Sequence, residues 1–245
     1  SAIRTLFQNS QCSCTGMPIP RLSSSLSFPD PRGTAIDGLL AIGGDLRFER
    51  LLEAYKRGIF PWYSKGQPIL WFSPDPRMVL YPNRYRCPNS LQRLLKSKKF
   101  DVRIDSDFAG VIRSCAVTPR RGQSGTWITE DMIESYIELH RRGYGHSFEA
   151  YLNNQLVGGL YGVSIGKAFF GESMFHTAPN ASKVAFDHLV RFCLRHDFLF
   201  VDAQTPSEHL RSLGAEEIDR ELYLSQLQVA LECESIIGQW DLDGE

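Results

Sequence analysis

The sequence predicts an α+β protein organised around a mixed sheet. Three observations carry this. From residue 130 onward the apolar pattern changes period repeatedly, in the order helix, hairpin, strand, helix, strand, helix. With 245 residues, 42% hydrophobic and 22% charged, the chain can bury a substantial core without needing a disulfide or a metal. No apolar run approaches the roughly 18 residues of a membrane span, so no membrane insertion is expected.

The elements follow in order. Residues 1–35 are polar and turn-rich, with Ser23, Ser24 and Ser25 in a row and four prolines, and read as an extended arm. A helix is expected at about 48–57, with Leu51, Leu52 and Tyr55 on one face and Gly58 as its stop. Residues 59–88 are so dense in proline and aromatics that they read as irregular but well-packed structure. A basic helix at 89–99 precedes a strand at 100–104. Thr129 is a candidate N-cap for a helix at 130–142, stopped by Gly143. Strands at 146–152 and 155–163 flank Asn153-Asn154, a hairpin signal. A short apolar strand, KAFFGESMF, leads to a helix at 181–196 with Asn180 as its expected N-cap. The strand FLFVDAQ ends at residue 204, and Thr205-Pro206-Ser207-Glu208 reads as a capping box with proline at the first helical position. A last helix spans about 219–231, before a mostly acidic tail.

A net charge of −1 conceals an asymmetry. Between Arg77 and Arg121 lie eleven basic residues and three acids, leaving the rest of the chain strongly acidic. This is either a solvated helix face or the footprint of a face that meets a polyanion. The N-terminal stretch lacks an apolar leader core, so the six cysteines read as reduced thiols of a cytoplasmic protein. No C-x-x-C, H-E-x-x-H or H-x-H spacing occurs, and neither a metal nor a cofactor is expected. Walker and G-x-S-x-G motifs are also lacking, which removes support for ATP and serine-hydrolase chemistry. RRGQSG, with Gly122 and Gly125, is a weak candidate phosphate loop or a plain surface turn.

Two segments carry more chemistry. In FFGESMF, Glu172 interrupts an aromatic strand; it is either partnered, facing a cavity, or at a strand end in solvent, because an unpaired buried charge is too costly. In FLFVDAQ, Asp202 and Gln204 are two apart, which places both on one sheet face at the end of a strand. They are either helix-capping groups or a carboxylate–amide pair in which the acid orients the amide. Trp71 reads as core, whereas Trp62 and Trp127, beside Gly and Pro turns, are placed to line a pocket or stack on a base.

At these motifs the sequence resembles the bacterial leucyl/phenylalanyl-tRNA–protein transferase family. The matching segments are GLLAIGGDL, AYKRGIFPWYS, PILWFSPDPR, GTWIT, FFGESMF and VDAQ with the following SLGA, in order from about Asp37 to Tyr223. The resemblance implies a small N-terminal domain, here 1–76 with its arm, and a catalytic domain at 77–245 similar to the N-acetyltransferase (GNAT-like) fold. It implies transfer of Leu, Phe or Met from aminoacyl-tRNA to the N-terminal Lys or Arg of an acceptor protein, marking it for degradation, by a monomer using no ATP or metal. It gives Glu172, Asp202 and Gln204 catalytic positions, and Trp62 and Trp127 positions around the terminal adenosine. Leu160, Phe169, Met174, Phe186 and Val201 match the apolar donor pocket. Arg93 and Lys96, with the neighbouring Lys98 and Lys99, match the tRNA-facing segment. Leu160, Ala203 and Ser207 depart from the family pattern, where Met, Cys and a longer amide side chain are common.

The chemistry so implied is aminolysis of an ester. Gln204 would accept from the attacking amine, Asp202 would orient the Gln204 amide, and Glu172 would hold the donor's α-amino group; a route assisted by the ribose 2′-hydroxyl would use the same residues without a protein base. The alternative on the same superfold is a CoA-dependent N-acyltransferase, for which QLVGGL is the nearest candidate pyrophosphate turn. A non-catalytic RNA-binding module would explain the basic segment alone.

Overall fold

The computed structural model describes residues 19–34, 36–118 and 127–241. Cys12, Cys14 and the RRGQSG segment lie outside the described residues. Two sheets are present. The smaller has the order β1-β2-β4-β3, formed by β1 (Arg21–Leu22), β2 (Leu39–Gly43), β3 (Phe60–Pro61) and β4 (Leu70–Phe72). Helix α1 (Phe48–Lys56) packs beside it, with Leu51, Ala54 and Tyr55 buried. Gly58 ends α1 at φ 70, where a Cβ would stand 2.7 Å from the Tyr223 ring, so only glycine fits there.

The larger sheet has seven strands in the order β11-β5-β10-β9-β8-β7-β6. These are β5 (Arg77–Leu80), β6 (Asp101–Ile104), β7 (Gly145–Leu152), β8 (Gln155–Ile165), β9 (Ala168–His176), β10 (Phe200–Gln204) and β11 (Glu216–Ile218). All its pairings are antiparallel except β9 with β10. The β7–β8 hairpin turns at Asn153 and Asn154, both at positive φ, as a two-residue turn requires. Alternation along the strands divides the core in two. Tyr161, Phe170 and Phe200 face one side, packed with the small sheet, α3 (Phe108–Val117), α4 (Glu130–Arg141) and α7 (Arg220–Leu231). Leu160, Phe169 and Val201 face the other, under α5 (Ala181–Arg195) and α6 (Glu208–Ser212). Helix α2 (Asn89–Lys96) lies beyond α5 and buries Leu91 against Val184. This is the expected α+β arrangement of a small N-terminal domain and a mixed-sheet C-terminal domain.

Several local expectations are corrected. Residues 59–88 contain β3, β4 and β5, whose short runs between prolines hide the strand alternation. β2, α3 and β11 were also not expected. Asn180 takes a left-handed conformation and makes no side-chain cap, so α5 starts without one. The cap of α6 is Ser207, whose hydroxyl accepts from Leu210 N, and Pro206 therefore precedes the helix instead of opening it. Thr129 caps α4 as expected, and Asp219, expected as the first residue of the last helix, is instead the N-cap of α7.

After α7 the chain runs back under the sheet. Trp240 stacks on His146 at 3.5 Å and on Phe192 at 4.3 Å, and its backbone N–H donates to Asp105 at 2.8 Å. Asp105 also accepts from Ser147 N and bonds His146 Nδ1. The tail is thus an internal part of the core. Replacing Trp240 with Ala is expected to lower the unfolding free energy by about 3–5 kcal/mol in a urea titration. A loss below about 1 kcal/mol would show that the tail only lies against the surface.

Candidate active site

Two β-bulges make the site. In the β8–β9 pairing Gly162 faces Gly171 and Tyr161 faces Ser173, so Glu172 is an extra residue in β9. In the β5–β10 pairing Val79 faces Asp202 and Met78 faces Gln204, so Ala203 is the extra residue in β10. A bulge bends its strand and re-aims the side chain there. Gly162 permits the first, since a Cβ on it would come within 2.2 Å of the Phe170 carbonyl oxygen. Gln204 sits at φ 64, a left-handed conformation that costs a non-glycine residue of order 1–3 kcal/mol. The parallel pairing of β9 with β10 stops at Phe170 and Asp202, and Glu172 and Gln204 lie across the opening beyond it.

Their side chains meet there. Gln204 Nε2 donates to Glu172 Oε1 at 2.7 Å, and Tyr55 OH donates to the same oxygen at 2.7 Å. Tyr136 OH reaches Oε2 at 3.2 Å and is hydrogen-bonded to the Tyr55 hydroxyl. Glu172 is only 8% exposed. Burial pushes its pKa from 4.5 up to about 7, against the hydrogen bonds from Tyr55, Gln204 and Tyr136 that favour the anion. Burial also holds both tyrosines well above their ordinary range, so they remain donors at neutral pH. A carboxylate accepts about four hydrogen bonds, so Oε2, with one long partner, retains capacity for another cationic or N–H donor.

Asp202 has a different role from the one its spacing implied. Its Oδ1 accepts from Arg77 Nε at 2.9 Å and from the Gln204 backbone N–H at 2.8 Å. Its Oδ2 accepts from Arg77 Nη2 at 2.6 Å and Tyr223 OH at 2.8 Å. The carboxylate that orients the Gln204 amide is therefore Glu172, while Asp202 pins the backbone that gives Gln204 its left-handed turn. Arg77 and Asp202 are both buried. Burial alone would lower the Arg77 pKa, but the charge of Asp202 holds it above its ordinary value.

Behind the pair lies a cavity of about 290 Å³ on the α5 side of the sheet. Leu160, Met174, Phe186 and Val201 line it, together with Leu189 and Leu210; Glu172 borders it, and so does Asp202, whose carboxylate is committed to Arg77 and Tyr223. Phe169 does not reach the cavity surface. It is fully buried, paired in register with Val201 and packed against Trp240, so it backs the wall. Trp62 and Trp127 lie on the opposite face of the sheet, packed against the core that contains Tyr55 and Tyr136. Their segments are joined by the hydrogen bond between Tyr63 OH and Thr129 Oγ1 at 3.1 Å. Arg93, Lys96, Lys98 and Lys99 are exposed on α2 and the turn after it, apart from the cavity. QLVGGL lies wholly inside β8, so it forms no turn before a helix. Tyr55, Tyr136, Arg77 and Tyr223 were not singled out as site residues from the sequence.

Fold and site together define an α+β protein in which the carboxylate of a buried carboxylate–amide pair borders a side-chain-sized apolar cavity. Residues 79–228 match the family model described as leucyl/phenylalanyl-tRNA protein transferase, and residues 44–75 match the model of its N-terminal domain. The chain is 54% identical over 226 residues to a leucyl/phenylalanyl-tRNA–protein transferase of Solidesulfovibrio magneticus, covering 92% of each chain. It is 49% identical over 229 residues to one of Desulfatibacillum aliphaticivorans, covering 94% of this chain and 98% of that one. Among solved structures, a GCN5-related N-acetyltransferase-like protein from Streptococcus suis is similar at 15% identity and a TM-score of 0.30, over 74% of this chain and 59% of that one. The chain belongs to the leucyl/phenylalanyl-tRNA protein transferase family.

The raised pKa of Glu172 has a measurable consequence. A carboxyl that titrates higher in the folded state contributes stability below its unfolded pKa and loses it as pH rises through the folded one. Between pH 4.5 and about 7 the wild type should lose stability relative to Glu172→Gln by up to ~1.4 kcal/mol per pH unit. Chemical denaturation of both proteins across that range tests this; a constant difference would show that Glu172 ionises as it does in water.

Proposed function

We propose that this chain moves leucine, phenylalanine or methionine from aminoacyl-tRNA onto the N-terminal Lys or Arg of an acceptor protein. One observation carries the reading: the Glu172–Gln204 pair bridges the open end of β9 and β10, and its Glu172 borders an apolar cavity. Donor side chains unbranched at Cβ suit such a cavity, and discrimination by shape alone is limited to about 1–3 kcal/mol per methyl group. Family membership and the relatives' shared name support the same activity.

The reaction is aminolysis of an activated ester. The acceptor's N-terminal amine, with an ordinary pKa of about 7.7–8.0, is partly neutral near pH 7 and needs no strong base. Its nitrogen attacks the ester carbonyl; the C–N bond forms, the C–O bond to ribose breaks, and the departing hydroxyl takes up the proton the amine gives up. With Nε2 committed to Glu172, the Gln204 carbonyl oxygen is the end of the amide suited to accept from the attacking amine. Glu172 Oε2 receives the donor's α-amino group, and an arriving ammonium favours the ionised carboxylate. Tyr55 and Tyr136 fix that carboxylate, and Arg77 with Asp202 fixes the Gln204 backbone. Orientation of this kind supplies up to roughly 7–11 kcal/mol in favourable cases. Trp62 and Trp127 serve the terminal adenosine from the opposite face, so that the ester threads the gap between β9 and β10.

The direct test incubates the protein with leucyl-tRNA and a peptide beginning with Arg, with acetyl-CoA as control donor. A leucine-extended peptide is the expected product; acetylation in its place would overturn the reading. Gln204→Ala should cut transfer at least tenfold with tRNA affinity nearly intact, and near-normal turnover would remove Gln204 from the mechanism. Neutralising two of Arg93, Lys96, Lys98 and Lys99 should make the log–log dependence of tRNA binding on salt shallower by about 1–2 units. An unchanged slope would mean that the segment only faces solvent.

A further inference from the structure

A second cavity, about 470 Å³, lies between α2, β6 and α5. Its floor is apolar, formed by Leu94, Phe100, Val102 and Val184, and its mouth carries Lys98, Lys99 and His188. Helix geometry separates it from the donor cavity. On α5, Val184 and His188 are one turn apart and face α2, whereas Phe186 and Leu189 face the donor cavity. The two cavities therefore flank one helix.

The mouth is strongly cationic. Lys98 and Lys99 are exposed, and neither forms an ion pair among the described residues. The one acid at the cavity, Asp101, already accepts from Arg103 through Nε at 2.9 Å and Nη2 at 2.7 Å. Lys98 stands at φ 50 in the turn that reverses the chain from α2 into β6, and Lys99 Nζ lies 5.6 Å from the centre of the Phe100 ring. Burial pushes the His188 pKa down, so its imidazole adds a neutral edge. The cationic mouth and apolar floor are complementary to an anion with an apolar body. A nucleobase carrying its phosphate has that chemistry.

We propose that this cavity takes the base of one unpaired nucleotide of the donor tRNA, its phosphate held at Lys98 and Lys99. The inference rests on the aminoacyl-tRNA reading above and adds to it a contact that plain phosphate binding lacks. The floor presents apolar surface and few groups to read a base edge, so the site accepts any base, as a transferase serving several tRNAs requires.

Val184→Trp fills the cavity without altering charge. It should weaken tRNA binding by about 5- to 150-fold, the worth of one stacked base, and leave the salt slope unchanged. A Val184→Trp protein that melts like the wild type and binds tRNA equally well overturns the proposal. Phe100→Trp gives an independent readout: its fluorescence should be quenched by tRNA and by single-stranded oligouridylate, but not by a fully paired RNA duplex. Equal quenching by the duplex, or no quenching by any of them, also overturns it. A wild type that neither binds tRNA nor transfers leucine would instead defeat the functional reading itself.

Discussion

The buried pair of Arg77 and Asp202 is the interaction on which the rest of the structure depends. Arg77 reaches the Gly58 carbonyl at 3.1 Å, lies against the rings of Phe60 and Tyr223, and grips Asp202 with two nitrogens. One guanidinium thereby joins the N-terminal sheet, β5, β10 and α7. Two charges removed from water are costly unless every donor and acceptor is used, and here nearly all are. The return is positional. Asp202 can hold the Gln204 N–H only because Arg77 balances its charge, and the left-handed turn of Gln204 follows from that hold.

The rest of the site is constrained by the same logic of prior commitment. Gln204 cannot flip its amide without placing its carbonyl oxygen against a carboxylate. Glu172 cannot swing away without abandoning Tyr55 and Tyr136, whose hydroxyls both reach its carboxylate. Such a group of side chains pays its ordering cost during folding, so that little rearrangement is left for the moment of reaction. The two helices that carry these tyrosines, α1 and α4, belong to different parts of the chain and meet only because both pack on the same face of the sheet.

Much of this was legible in the sequence. The β7–β8 hairpin announced itself by alternating apolar residues around two asparagines, and Glu172 and Gln204 stood out as polar residues within apolar strands. The short runs between prolines at 59–88 carried too few residues to show a period, so β3, β4 and β5 read as irregular. Bulges were invisible for a related reason: period two assumes an unbroken strand, and an extra residue is defined only by its partner. Asp202 was found but given the wrong partner, because spacing along one strand says nothing of Arg77, which lies 125 residues away in sequence. Tyr55 was legible as a buried helix residue, yet its hydroxyl's acceptor lies 117 residues further on.

Trp240 ties the order of synthesis to the completion of the fold. Its stacking partners His146 and Phe192 emerge from the ribosome well before it does. Until then the sheet can form, but its lower layer lacks a filler, and the His146 ring has one face uncovered. A chain lacking this residue would leave an aromatic slot open between the His146 and Phe192 rings. A single indole fills that slot, stacked on the His146 ring on one side and on Phe192 on the other.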